Sequence, residues 1–351
     1  MVDSIAFDTA TLVGVVPNLK TSQNWMLDRY FTGLVESDSE EVVIDVDVGK
    51  RRMSPFVSPL VEGKLVEQRR FQTNKFKPAY VKDKRAPDLR KPVRRMIGEK
   101  IGGNLSGAER EMANLEFEMT DQVDMLNRRL EWMACQAMMT AQVPIVGDGV
   151  NALVDFGRDA ALTVTLTGNN RWGISANFLP DGRDPVPTGN IEDWQALILK
   201  KSGATVTDIV FTTTPWKRFQ NAEGVQGAIY YPKLGGEQNN EIRNGPEIKK
   251  GAIYKGRWGQ YDLWLYNDWY VDDNDVEQPM ITDGVVILSG QELMGTRAFG
   301  MIMDPKFNYG PMAYAPKTWI TEDPAQRLIM LQSAPLVIPS RVNACFAATV
   351  I

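Results

Sequence analysis

Catalytic chemistry has few side chains to work with in this sequence. There is no histidine, so the commonest proton shuttle near neutral pH and the commonest metal ligand are both missing. Ser-His-Asp and Cys-His arrangements are excluded on that ground. The two cysteines, Cys135 and Cys345, lie far apart, and Cys135 falls in an apolar helical pattern. A buried thiol is expected there rather than a disulfide, in keeping with synthesis in a reducing compartment. A zinc site would need carboxylates from distant positions, and no catalytic residue, metal or cofactor is expected.

Other patterns that resemble sites have ordinary readings. Gly147-Asp148-Gly149-Val150-Asn151-Ala152 fits G-x-G-x-x-A, but a dinucleotide site needs a helix to begin there, and β-type residues follow instead. An Asp-Gly pair between apolar runs marks a hairpin turn. The acidic run 272–277 lacks the sixth-position glycine and distant glutamate of a calcium loop, so a solvated turn is expected. Met112, Met119 and Met133 stand at helical spacing among Leu and Val and read as core.

Charge is the stronger signal. Residues 50–100 hold 16 Lys and Arg against five Asp and Glu, a charge of +11, which leaves −16 on the rest of a chain whose net charge is −5. Three readings of this segment stand side by side. It is a solvated loop, or it binds phosphates with Phe71, Phe76 and Tyr80 stacking on bases, or it meets the acidic body of another copy. The overall pI of about 5.2 is low for a free nucleic-acid-binding domain. Prolines at 55, 59, 78, 87 and 92 preclude a continuous helix, so the segment reads as an extended hairpin, with Gly98, Gly102 and Gly103 as a hinge at its end.

The elements around it set its position. Residues 1–40 show no long periodicity and read as an arm that packs on something else. Strict alternation over 42–48 marks a half-buried strand. Ser106 and Glu109 form a capping-box pattern. The helix it opens runs to about 141, with Ala108, Met112, Leu115, Met119, Val123, Leu126, Leu130, Met133 and Ala137 at spacings of three and four. It would span roughly 50 Å, with Glu116, Asp121, Arg128 and Glu131 on its polar faces. Further strands are expected at 143–146, 150–156 and 161–167. Asn190 is expected to cap a short helix ending at Gly203, and Thr214-Pro215 to start another. Residues 251–288 read as sheet, and 328–351 as two more strands. No stretch approaches the roughly 20 apolar residues of a membrane span, and the first residues lack a secretory pattern, so a cytoplasmic site of synthesis is expected.

Val57-Ser58-Pro59-Leu60-Val61-Glu62-Gly63-Lys64 and Phe76-Lys77-Pro78-Ala79-Tyr80-Val81-Lys82 resemble the lambda-type major capsid proteins of tailed phages. So do Ala315-Pro316-Lys317-Thr318-Trp319-Ile320, Asp323-Pro324-Ala325 and Leu331-Gln332-Ser333-Ala334-Pro335-Leu336. The resemblance covers nearly the whole chain, more weakly over 140–310. It implies an α+β chain with the Hong Kong 97 capsid fold. The arm would be 1–40, the extended loop with its flanking strand 41–105, and the peripheral domain 106–194, with a spine helix at 106–141. The axial domain would be 195–300, and 301–351 would return to the peripheral domain.

It also implies hexamers and pentamers of this chain tiling an icosahedral head around double-stranded DNA, without sequence-specific binding. Partners would be a decoration protein, a scaffold and a portal. The location would be the virion, after assembly in the bacterial cytoplasm. The loop would lie across a neighbouring subunit through apolar anchors Phe56, Val57, Leu60 and Val61 and charged contacts Arg69, Arg70, Lys82, Lys84 and Arg85. An isopeptide bond joining Lys64 or Lys75 to Asn343 is conceivable, but no carboxylate is placed to catalyse it, and noncovalent locking is expected. A nucleic-acid-binding protein using 50–100 is the alternative.

Overall fold

The computed structural model describes residues 24–47, 53–63, 65, 71–87, 106–225, 247–249, 251–272, 274–322 and 325–351. The chain opens with helix α1 (Trp25–Tyr30) and strands β1 (Gly33–Glu36), β2 (Val42–Asp47), β3 (Phe71–Phe76) and β4 (Val81–Arg85). The long helix α2 (Gly107–Met139) follows, then β5 (Gln142–Gly147), β6 (Val150–Asp155) and β7 (Thr163–Thr165). Next come α3 (Val186–Lys201), β8 (Asp208–Phe211), α4 (Thr213–Phe219), β9 (Glu247–Lys249), β10 (Ala252–Trp258) and β11 (Tyr261–Tyr266). A short hairpin of β12 (Trp269–Val271) and β13 (Glu277–Pro279) leads to β14 (Val285–Ser289) and β15 (Gly295–Phe299). The chain ends with β16 (Ala315–Glu322), β17 (Ala325–Ser333), β18 (Pro335–Pro339) and β19 (Phe346–Thr349).

The central layer is a seven-stranded sheet in the order β7-β19-β14-β8-β11-β10-β9. Its middle strands β8 and β14 are buried at every residue, which is why 209–211 and 285–288 read as apolar runs rather than alternating ones. Helices α3 and α4 cover one face through Ile191, Trp194, Ile198 and Phe219, with Trp194 stacked on Phe346 at 4.9 Å. On the other face lie α1 and the C-terminal half of α2, through Trp25, Leu130, Met133 and Met138.

Helix α2 outruns that sheet. Its N-terminal half packs Leu115, Met119, Val123 and Leu126 on Ile329 and Leu331 of β17, in a second sheet ordered β16-β17-β4. One 33-residue helix therefore joins two cores. Its start is the expected capping box, with Ser106 N–H donating to Glu109 at 2.6 Å and Glu109 N–H to Ser106 Oγ at 3.3 Å.

Several expectations are corrected. Helix α3 begins at Val186 rather than after Asn190. Pro187 fits the first turn, and the Asp184 carboxylate accepts the Val186 amide at 3.1 Å, so the cap is upstream. Residues 160–162 form a 3-10 turn and only 163–165 a strand. The end of the chain makes three strands, because the chain leaves β17 at Ala334 to pair β18 with β15, and then pairs β19 with β14 and β7. Met112 is half exposed despite its place in the apolar repeat, and Glu131, expected on a polar face, is fully buried. The 147–149 turn and the acidic turn at 272 form as expected, with Asp272 accepting the amides of Asn274 and Val276. From residue 24 onward the expected arm packs on its own chain. Among the described residues no helix is long and apolar enough to cross a membrane.

Candidate assembly surface

The apolar anchors read from the sequence are solvated. Within 53–63, Val61 N–H donates to the Ser58 carbonyl at 3.0 Å and closes a turn through Pro59. Proline at the second turn position presets that bend. Around it Phe56 is 106% exposed and Leu60 is 96% exposed, with Val57 and Val61 exposed beside them. Met53 and Leu65 are exposed as well. Large apolar side chains left exposed together mark an interaction site.

The foot of this projection is fixed. Strands β2 and β3 pair over six residues from Val42↔Phe76 to Asp47↔Phe71, and Phe76 packs on Phe156 with ring centres 5.3 Å apart. Lys75 pairs with Glu41 at 3.6 Å and Lys77 with Glu40 at 3.5 Å, contacts worth at most about 1 kcal/mol in water. Strand β4 then runs antiparallel to β17. Lys82 and Lys84 face solvent over the rings of Tyr80 and Trp319, at 5.0 and 5.5 Å. Arg85 turns inward and bonds Glu118 at 3.0 Å and Asp121 at 2.6 Å on α2, while Gln122 donates to the Asp83 carbonyl at 3.0 Å. The structure thus brings Lys82 and Lys84 together on an exposed strand and gives Arg85 partners within its own chain. Arg69, Arg70, Lys64, Gly98, Gly102 and Gly103 lie outside the described residues. Asn343 sits in a 3-10 turn, where its Oδ1 accepts the Asp159 amide at 2.9 Å.

Elsewhere the subunit is held by polar clamps. Asp304 accepts from Lys317, from Gln332 at 3.1 Å and from the Lys306 amide at 3.0 Å. Gln332 in turn accepts from Tyr80 at 3.0 Å, which ties the foot of the loop to β17. Burial pushes the Asp304 carboxyl up, but Lys317 and the other donors outweigh it and hold it at about 2. Glu131, at 0% exposure, accepts the Met26 amide at 2.9 Å, the Leu27 amide at 2.8 Å and the Tyr266 hydroxyl at 2.8 Å. Burial drives its carboxyl up to about 7 against the pull of those three donors. At the C-terminal end of α2, Arg158 donates to the Met138 and Met139 carbonyls at 2.7 Å each.

None of these clamps was assigned from sequence. Glu131 had a signal: Ala134, Cys135 and Met138 stand three, four and seven residues after it, a second apolar stripe on the same side of the helix. Arg158 and Asp304 sit in loops with no such period. Among the described residues, no cluster of three or more Cys, Asp or Glu could hold a metal ion.

Comparison with known proteins gives this geometry a context. The model of the phage major capsid protein E family matches residues 8–350. The major capsid protein of Escherichia phage lambda is 27% identical over 327 residues, covering 90% of this chain and 92% of that protein. The major capsid protein of Escherichia phage N15 is 26% identical over 338 residues, with 95% of each covered. A capsid protein from a prophage of Escherichia coli CFT073 has a crystal structure that superposes with a TM-score of 0.75 at 18% identity, over 99% of this chain and all of that one. The fold is of the Hong Kong 97 capsid type.

Proposed function

The chain belongs to the phage major capsid protein E family, and from that premise we propose how it builds the shell of a phage head. The observation that carries the proposal is the solvated apolar turn around Phe56 and Leu60, held on a braced β2–β3 foot. In our reading this extended loop crosses onto a neighbouring subunit. Phe56, Val57, Leu60 and Val61 enter the contact, and Lys82, Lys84, Arg69 and Arg70 set its register. Burying each of those apolar side chains contributes about 1.5–3 kcal/mol, while exposed ion pairs add little and mainly guide encounter. Repetition around hexamers and pentamers multiplies the gain.

The domain reading is part of the proposal. Residues 1–40 are the arm, 41–105 the extended loop with its flanking strand, 106–194 and 301–351 the peripheral domain around α2, and 195–300 the axial domain. The position of β19 inside the seven-stranded sheet couples the two domains through the backbone. Gly98, Gly102 and Gly103 serve as the hinge between loop and helix. Such a shell encloses double-stranded DNA, assembles in the bacterial cytoplasm and takes a decoration protein, a scaffold and a portal as partners, locked without covalent bonds. The comparisons lend no support to a free nucleic-acid-binding protein.

Negative-stain microscopy of the purified chain without nucleic acid tests the reading. Rings or shells are expected. A protein that stays monomeric and binds DNA with a steep salt dependence overturns it.

A further inference from the structure

Helix α1 is too short to hold itself. Isolated helices under about a dozen residues are marginal in water, α1 has six, and Asn24 before it makes no side-chain cap. Every strong hold on it comes from far along the chain. Glu131 of α2 takes the Met26 and Leu27 amides. Arg297 of β15 takes the Leu27 carbonyl at 3.0 Å and the Phe31 carbonyl at 2.7 Å. Arg29 makes a two-point contact with Asp208 of β8, at 3.0 and 2.5 Å. One helical turn and a half thus links α2, β8 and β15.

One of the three holds is chemically unlike the others. The Arg297 contact to Asp28 at 2.8 Å and the Arg29 contact to Asp208 are compensated ion pairs. Glu131 has no ion pair among the described residues. The titratable groups facing it are Tyr266 on β11, Asp268 just beyond, and Cys135 on α2, none of them a cation. A buried carboxylate without a cation is costly to keep charged.

The surroundings also admit the neutral form. Tyr266 Oη sits 2.8 Å from Glu131 Oε1 and 3.6 Å from Cys135 Sγ. A hydroxyl both donates and accepts, so it can rotate to accept a proton held on Glu131 and donate towards the sulfur. The second carboxyl oxygen still accepts the Leu27 amide.

We propose that α1 is a proton-linked staple, docked most firmly on α2 when Glu131 is neutral and released more readily when Glu131 is charged. The sign follows from linkage. Docked, the carboxyl titrates near 7 rather than at its ordinary value of 4.5, so docking takes up a proton. That gain is fully present below the ordinary value and is lost as the pH rises through about 7. Between pH 8 and pH 5 the docking equilibrium should rise, by up to roughly 70-fold where undocking fully solvates the carboxyl.

Hydrogen exchange on the unassembled full chain tests this, after correction for intrinsic rates. The amides of Met26 and Leu27 are expected to gain up to roughly 70-fold in protection from pH 8 to pH 5, while those of Ile191 and Trp194 in α3 stay level. In Glu131→Gln the Met26 and Leu27 gain should vanish, and in Tyr266→Phe it should shrink. A flat wild-type profile, or one shared by α3, overturns the proposal. So does a gain that survives in Glu131→Gln.

Discussion

Arg158 closes the C-terminal end of the long helix by donating to the carbonyl of Met138 at 2.7 Å. Its second nitrogen reaches Met139 at the same distance, and its Nε reaches Thr163 at 2.9 Å. The last turn of α2 carries no basic residue of its own, so this guanidinium supplies both the missing donors and the positive charge that the helix end favours. Arg158→Met should lower the unfolding free energy of the unassembled subunit by about 2–3 kcal/mol. Arg158→Lys keeps the charge but not the fork, and should lose about half of that. Urea titrations of the three proteins check the order.

The loop anchors should behave in the opposite way. The Phe56 and Leu60 side chains are almost fully exposed, so Phe56→Ser with Leu60→Ser should shift subunit stability by less than about 0.5 kcal/mol. Assembly should nevertheless fail, because the apolar area that would bury against a neighbour is gone. Denaturant melts paired with electron microscopy separate the two effects. A double variant that still forms normal shells removes the loop from the interface.

Legibility from sequence followed the range of the interactions involved. Helix α2 could be read almost to the residue because its cap and its period are local, and Gly149, at a φ of 75°, marked the β5–β6 turn for the same reason. The start of α3 was misplaced because Asn190 is a good cap residue, while the working acceptor, Asp184, acts across Pro185. The break between β17 and β18 was invisible because one apolar run serves two sheets in succession. Glu131 and Arg158 were missed for a deeper reason. Their partners lie 105 residues before and 20 residues before them in the chain, so the apolar stripe beside Glu131 marked its burial but no local pattern named the groups it meets.

Asp304 gives the subunit an acid limit. Its folded carboxyl lies at about 2, below the ordinary 3.8, because Lys317 and its other donors prevail over burial. A depressed carboxyl stabilises the fold above its ordinary value and loses that contribution as the pH falls from about 4 to about 2. The contribution at neutral pH is about 2–3 kcal/mol. Asp304→Asn should therefore be less stable than wild type at pH 5, and the gap should close towards pH 2. Urea midpoints of both proteins at pH 5, 3.5 and 2.5 reveal whether it does.

Arg85 separates the charges that hold the subunit together from those free to meet a neighbour. Its bonds to Glu118 and Asp121 join β4 to α2 inside one chain, and Glu118 is the better shielded acid, with its side chain 13% exposed against 46% for Asp121. A double-mutant cycle should give a larger coupling for Arg85 with Glu118, about 1–2 kcal/mol, than with Asp121, about 0.5 kcal/mol, because water screens the second pair more. Lys82 and Lys84 face outward on the same strand. Changing both to Glu should leave the unassembled subunit as stable as wild type and slow the rate of assembly, most strongly at low salt, where exposed charge acts over the longest range. If the two lysine changes instead destabilise the lone subunit as much as Arg85→Met does, β4 carries no charge free for a neighbour, and the register of the loop must be set by its apolar turn alone.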